Sequence, residues 1–276
     1  MDSEELRKLS HEIVAEATSL LRELIDSSDS THITGRGYGG DNTYLVDKQV
    51  EGLIIDYLKH EKLKARIVSE EIGVLNLFHN PDLVVLIDPV DGSLNYVSKI
   101  PFVSVSIVFY DMSKPYLGEA LAGAVGNAFL KEVYSFNKHS VFVNHEIVDN
   151  IGETSVKGLV SLYSEDPLFI GCLKSCLDRQ FNISVKFRTM GSASLESIYS
   201  AIGRMDLFIH NTGRLRNLDV AGGVEIAKRL GVYYSDLHGN ALIKRTDDVE
   251  RIESIIIGLK GVEVLDCLKK TCLKRE

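Results

Sequence analysis

Residues 84–95 read VVLIDPVDGSLN, an apolar run that stops at two aspartates three positions apart, and any fold of this chain has to neutralise that pair. The β-branched run 84–87 reads as a strand. Pro89 is expected to end it at Asp88, because proline donates no N–H and keeps the residue before it extended. Val90, Asp91, Gly92 and Ser93 have turn composition, which folds Asp91 back towards Asp88. Two carboxylates ~4 Å apart at an effective dielectric of ~20 repel by about 4 kcal/mol. Such a pair must share a proton, form a salt bridge or bind a cation. No Lys or Arg lies between Arg66 and Lys99 to neutralise it locally, so any basic partner comes from far along the chain. A second strand signal, ARIVSEE, ends in Glu70 and Glu71. Successive strand residues face opposite sides, so only one of the two can join the aspartates. An all-oxygen donor set of this kind suits Mg2+, which is commonly held by a few carboxylates plus a substrate phosphate.

The rest of the chain sets the context. With 276 residues, 45% of them hydrophobic, it is long enough for one large two-part domain with a real core. A formal net charge of −8 and a pI near 5.5 argue against nucleic acid or an anionic membrane as partner. The opening MDSEELRKLS lacks the basic-then-apolar layout of a secretion signal, so a cytoplasmic protein is expected. The most apolar stretch, IPFVSVSIVFY from Ile100, is about half the ~20 residues a membrane-spanning helix requires. Cys172 and Cys176 sit one helical turn apart, and Cys267 and Cys272 lie near the end. Without CxxC or HxxxH spacing, all four are expected to be core residues.

Helical and strand signals alternate, with no repeat and no low-complexity tract. Residues 4–25 place Leu6, Leu9, Ile13, Ala17, Leu20, Leu21 and Leu24 at helical spacing, a polar Gly-rich loop follows, and a second helix is predicted over 44–60. After residue 150, strand and helix signals alternate as in an α/β half. The predicted organisation is an N-terminal α+β metal-binding half, 1–140, and a C-terminal α/β half, 141–276, that sets substrate specificity.

The ordered set Glu70-Glu71, then Asp88-Pro89-Val90-Asp91-Gly92-Ser93-Leu94-Asn95-Tyr96, then PFVSVSI over 101–107 resembles the inositol monophosphatase family of metal-dependent, lithium-sensitive sugar phosphatases. TYLVDKQVE over 43–51 is similar to the family's helix with a metal-associated acid, here Asp47, and Leu218-Asp219-Val220-Ala221-Gly222-Gly223 is similar to its late motif. Leu218 stands where that motif usually has Trp, Ser93 where it has Thr, and Val46 where a Thr is frequent. The likeness covers roughly residues 35–235 and is nearest archaeal members, which hydrolyse inositol phosphate and fructose 1,6-bisphosphate. It implies the layered αβαβα sandwich of the inositol monophosphatase and fructose bisphosphatase fold, a class mixing α/β with α+β, and it implies a homodimer.

By the same resemblance, Glu70, Asp88 and the Val90 carbonyl hold one Mg2+, while Asp88, Asp91 and Asp219 hold a second; Mn2+ is an alternative ion, and Asp41 touches a third. Hydrolysis of a phosphate monoester is among the slowest uncatalysed reactions, with enzymes supplying up to ~10²¹-fold acceleration, so it requires charge stabilisation and an activated water together. Ser93 with Asp47 behind it orients that water, or Glu70 serves as the base; the sequence leaves both open. The amides of Gly92 and Ser93 meet phosphate oxygens, Asp91 also faces substrate, and Gly191 and Ala193 supply backbone contacts to the substrate ring. His210 stands where the family has an inositol-contacting Glu, and Arg214 and Arg216 are candidates for a second phosphate. The expected function is a phosphomonoesterase acting on inositol 1-phosphate and fructose 1,6-bisphosphate. Its alternatives are a 3′-phosphoadenosine 5′-phosphate nucleotidase and a non-catalytic scaffold, against which Glu70, Asp88, Asp91 and Asp219 all stand intact.

Overall fold

The computed structural model describes residues 1–27, 32–38, 40, 42–148, 151 and 157–272. Helix α1 (Ser3–Leu24) starts where Asp2 accepts the amides of Glu4 and Glu5 and Glu5 answers in a capping box, and its buried face is Leu6, Leu9, Ile13, Ala17 and Leu21. A hairpin of β1 (Ile33–Arg36) and β2 (Asn42–Tyr44) lies within the stretch expected to be loop, and leads into α2 (Leu45–His60).

The first sheet is built from β3 (Ala65–Ser69), β4 (Gly73–Asn76), β5 (Leu83–Asp91), β6 (Ser104–Asp111), β7 (Ala120–Asn127), β8 (Glu132–Phe136), β9 (Val141–Val143) and β10 (Glu146–Ile147). Their order across it is β10-β9-β8-β7-β6-β5-β3-β4, and the short helix α3 (Ser93–Val97) follows β5. The second half contributes β11 (Leu159–Tyr163), α4 (Pro167–Phe181), β12 (Lys186–Arg188), α5 (Ala193–Ala201) and β13 (Leu207–His210). After these come β14 (Leu215–Arg216), α6 (Asn217–Arg229), β15 (Tyr234–Ser235), β16 (Arg251–Ile252), β17 (Ile255–Ile257) and α7 (Gly261–Thr271). The second sheet runs β12-β11-β13-β17-β15.

Three buried apolar clusters define the layering. One lies between α1, α2 and the outer face of the first sheet, including Val50, Ile54, Val85 and Ile107. A second lies between the two sheets around α5 and α6, with Val108, Tyr134, Ile198, Val224 and Phe208. The third joins the far face of the second sheet to α4 and α7 through Leu173, Leu177, Ile209, Val264 and Leu268. The result is the expected αβαβα sandwich. Among the described residues no helix is long and apolar enough to cross a membrane.

Two expectations need correction. β5 does not end at Asp88; it passes through Pro89 to Asp91, pairing Asp88 with Ser106 and Asp91 with Ser104. Three steps along β5 thus oppose two along β6, a bulge with room for a proline that cannot donate to the ladder. The cysteines also do more than fill the core. Cys172 bonds Cys272 and Cys176 bonds Cys267, with Cα separations of 5.8 and 6.1 Å, and the two disulfides tie α4 to α7. Residues four apart on one helix face a partner helix together, so the spacing that suits burial also suits a double staple.

Candidate active site

The bulge explains how both aspartates face one point. Asp88 and Asp91 are an odd number of residues apart, which on a regular strand puts them on opposite faces. Because their partners Ser106 and Ser104 are two apart, the extra residue returns both to the same side. β3 runs parallel to β5 with Ser69 opposite Ile87, so Glu70, the next residue, arrives beside Asp88. Asp219 comes from the second half, in the first turn of α6, where its Oδ2 also accepts the Arg216 amide at 2.7 Å. A helix cap and a site acid are therefore one residue.

Glu70, Asp88 and Asp219 each present a carboxylate oxygen within 4.8 Å of the others. They line a cavity of about 420 Å³ with Val90, Asp91, Gly92, Ser93, Gly191, Ala193, His210 and Arg216. Burial and mutual repulsion disfavour the charged forms: Asp88 is pushed well above the usual carboxylate range, first by burial and then by Asp91 and Glu70. Asp219 is raised to about 7, mainly by burial. The distant basic partner is Arg216, whose Nη2 lies 2.7 Å from Glu70 Oε1 and whose Nε lies 3.5 Å from Asp219 Oδ1. Among the described residues, one guanidinium facing this many acids leaves negative charge to offset, Asp88 Oδ1 is buried without a hydrogen-bond partner, and the three converging side chains all offer oxygen. That chemistry fits a hard divalent cation.

Asp91 lines the same cavity but is aimed differently. Its Oδ2 accepts Ser192 Oγ (2.6 Å), Ser194 N (2.8 Å) and Ser104 Oγ (3.1 Å), while Oδ1 accepts only Ala193 N at 3.2 Å. It is therefore anchored at the start of α5, with lone-pair capacity left on Oδ1. Asp47, on α2, is buried and raised to about 7, mainly by burial; its Oδ2 accepts the Tyr44 amide at 2.6 Å. Ser93 Oγ lies 3.3 Å from Asp47 Oδ1 and 2.8 Å from the Val90 carbonyl. Gly92, with φ of 98°, makes the left-handed corner that starts α3 and places Ser93 there. Glu71 turns away from the trio to accept Thr43 Oγ1, as strand alternation requires.

The remaining expected residues divide. Arg216 reaches the acids and is not at a rim position for a second phosphate. Arg214 does not line the cavity; it is 70% exposed and pairs with Glu165 at 3.0 Å. Gly191 and Ala193 line the cavity, and both amides already have protein acceptors, Gly191 N at Tyr163 Oη (2.9 Å) and Ala193 N at Asp91 Oδ1 (3.2 Å). His210 lines it, buried and stacked on Tyr163 at 5.1 Å. Asp41 lies outside the described residues. Sequence reasoning missed Tyr163, Ser104 and Glu196. Tyr163 and Glu196 sit on a strand and a helix without a local motif, Ser104 lies in the PFVSVSI run where nothing singles it out, and the role of each comes from what folds against it.

Comparison with known proteins agrees with this geometry. The profile of the inositol monophosphatase family matches residues 2–260. An inositol-1-monophosphatase of Aeropyrum pernix is 34% identical over 262 residues, covering 94% of each chain. A fructose-1,6-bisphosphatase/inositol-1-monophosphatase of Methanocaldococcus jannaschii is 28% identical over 243 residues, 87% of this chain and 88% of that one. Among solved structures, a Pyrococcus horikoshii protein described as similar to inositol-1 monophosphatase superposes with a TM-score of 0.78 at 24% identity, covering 99% of this chain and 100% of that one. The chain belongs to the inositol monophosphatase family, and its reaction is phosphoric monoester hydrolysis.

Proposed function

We propose that this chain is a Mg2+-dependent phosphatase of small sugar and polyol phosphates, inositol 1-phosphate and fructose 1,6-bisphosphate being the candidates, and that it works as a homodimer. The observation that carries the reading is the convergence of the Glu70, Asp88 and Asp219 oxygens within 4.8 Å of one another, in a cavity that Ser93 also lines. Glu70, Asp88, Asp219, the Val90 carbonyl and Asp91 Oδ1 are the groups that would hold divalent cations. When bound, such ions neutralise developing charge on phosphoryl oxygens and lower the pKa of water from ~15.7 towards ~7.

The protein's own part is positioning and proton handling; positioning and charge stabilisation dominate phosphoryl transfer because the transition state is loose. Ser93 Oγ lies between Asp47 Oδ1 and the Val90 carbonyl. It accepts a proton from the attacking water as its own moves to Asp47 Oδ1. A carboxyl raised to about 7 is matched to that task near neutral pH. Glu70 is the weaker base candidate because Arg216 holds its carboxylate at 2.7 Å. The amides of Gly92 and Ser93, at the head of α3, are assigned to the phosphate oxygens. Phosphate release from inositol 1-phosphate and fructose 1,6-bisphosphate, with Mg2+ varied, tests the reading; no release from either at any Mg2+ concentration would reject it.

A further inference from the structure

Glu196 on α5 is fully buried, and no role above uses it. Its Oε1 accepts Ser161 Oγ at 2.7 Å and the Met190 amide at 3.1 Å; its Oε2 accepts the Tyr163 hydroxyl and the Gly191 amide, the latter at 3.2 Å. One carboxylate thus gathers two donors from β11 and two from the segment before α5. From the first half, Asn95 Nδ2 donates to the Met190 carbonyl at 2.6 Å and to the Phe102 carbonyl at 2.8 Å. A Cβ at Gly191, whose φ is 91°, would stand 2.8 Å from that same nitrogen. The Met190–Gly191 peptide is therefore gripped from both sides with no space to shift.

What this grip holds is one wall of the cavity. Gly191 and Tyr163 line it, and the Tyr163 ring stacks on His210 at 5.1 Å with an interplanar angle of 24°. His210 is buried, burial holds it down to about 4, and its Nδ1 has no hydrogen-bond partner among the described residues. The wall is therefore uncharged near neutral pH. Of the basic side chains, Arg216 lines the cavity but is paired with Glu70 and Asp219, while Arg214 lies outside it against Glu165. An aromatic face takes the C–H face of a ring.

We propose that Glu196 is a positioning residue for substrate selection: by holding Tyr163 and the Met190–Gly191 peptide it builds, with His210, a neutral wall that takes the hydroxylated ring of a monophosphate ester and, among the described residues, offers a second phosphate no cationic partner. This rests on the phosphatase reading and narrows its substrate class. A site that hydrogen-bonds a substrate group discriminates steeply against ligands that leave the site's own group unpaired.

The test is steady-state phosphate release by the full chain in Mg2+, from inositol 1-phosphate and from fructose 1,6-bisphosphate. Wild type is expected to favour the monophosphate by about tenfold in kcat/KM. Glu196→Gln keeps the shape but turns an amide donor towards existing backbone donors; it should raise KM for inositol 1-phosphate about fivefold, with kcat within about twofold and half-saturating Mg2+ unchanged. His210→Arg places a cation in the wall and should narrow the preference, whereas Arg214→Ala should leave it unchanged. A wild-type preference for the bisphosphate, or a Glu196→Gln variant that loses kcat or Mg2+ affinity at constant KM, overturns the proposal while leaving the phosphatase reading intact. Failure of wild type to hydrolyse either ester overturns that reading, and this one with it.

Discussion

Ser192 Oγ donates to Asp91 Oδ2 across 2.6 Å, joining the acidic loop of the first half to the N-cap of α5 in the second. With the Ala193 and Ser194 amides on the same carboxylate, the bond makes an acid of the first sheet the anion at the start of that helix. Each half of the site is thus held in place by the other.

Asp91→Asn is expected to lower kcat by two orders of magnitude or more and to lower the unfolding midpoint as well. An amide nitrogen at this position faces backbone donors, and leaving buried donors unsatisfied costs about 1–3 kcal/mol. Phosphate release and thermal unfolding on one preparation check both; a variant with wild-type turnover would remove Asp91 from the site.

Removing the Ser93 hydroxyl tests proton handling separately from metal binding. Ser93→Ala and Asp47→Asn should each reduce kcat about 10²–10⁴-fold while the Mg2+ concentration for half-maximal activity stays near that of wild type. A tenfold or larger rise in that concentration, with kcat preserved, would move both residues to the metal instead.

The buried acids make metal-free stability depend on pH. Asp47, Glu71 and Asp219 are each raised to about 7, mainly by burial, from ordinary values of 3.8 to 4.5. A group whose folded pKa lies above its unfolded value stabilises the fold at low pH and loses that contribution as pH rises through the folded value. His210 and His11, held down to about 4, act in the opposite sense below pH 6.5, where the unfolded chain begins to protonate them. Between pH 6.5 and 8 the carboxylates dominate, so the unfolding midpoint in chelator should fall across that window. Saturating Mg2+ should flatten the decline. A midpoint that rises with pH in chelator would contradict these shifts.

The two disulfides close segments separated by 100 and 91 residues. A cross-link over a loop this long stabilises by about 5 kcal/mol in the chain-entropy account. Reductant should therefore lower the unfolding midpoint, and Cys172→Ser alone should lower it less, because Cys176–Cys267 still holds α7 to α4. An unchanged midpoint under full reduction would show that packing of Val264, Leu265 and Leu268 suffices.

Much of the site was readable before the fold. The convergence of Asp88 and Asp91 was expected from turn composition, the single place for one of Glu70 and Glu71 from strand alternation, and the helix led by Asp219 from its apolar spacing. The neutralising cation was not readable: Arg216 lies 146 positions after Glu70, and the fold alone brings them together. Pro89 misled because proline is a barrier to a regular ladder but not to a bulge, and the bulge is what points both aspartates one way. That the Gly191 and Ala193 amides have protein acceptors was not readable, because Tyr163 and Asp91 lie 28 and 102 residues away. The long helices and strands were readable from apolar periodicity and their layering from the family resemblance, whereas short strands such as β14 to β16 carry too few residues for any period to show.

The most direct measurement of the central claim is an anomalous difference map from a crystal soaked in Mn2+. The account predicts a peak bounded by carboxylate oxygens of Glu70, Asp88 and Asp219, beside the Arg216 guanidinium that pairs with Glu70. A map without density there, from crystals whose dissolved protein hydrolyses inositol 1-phosphate at full rate in chelator, would contradict it.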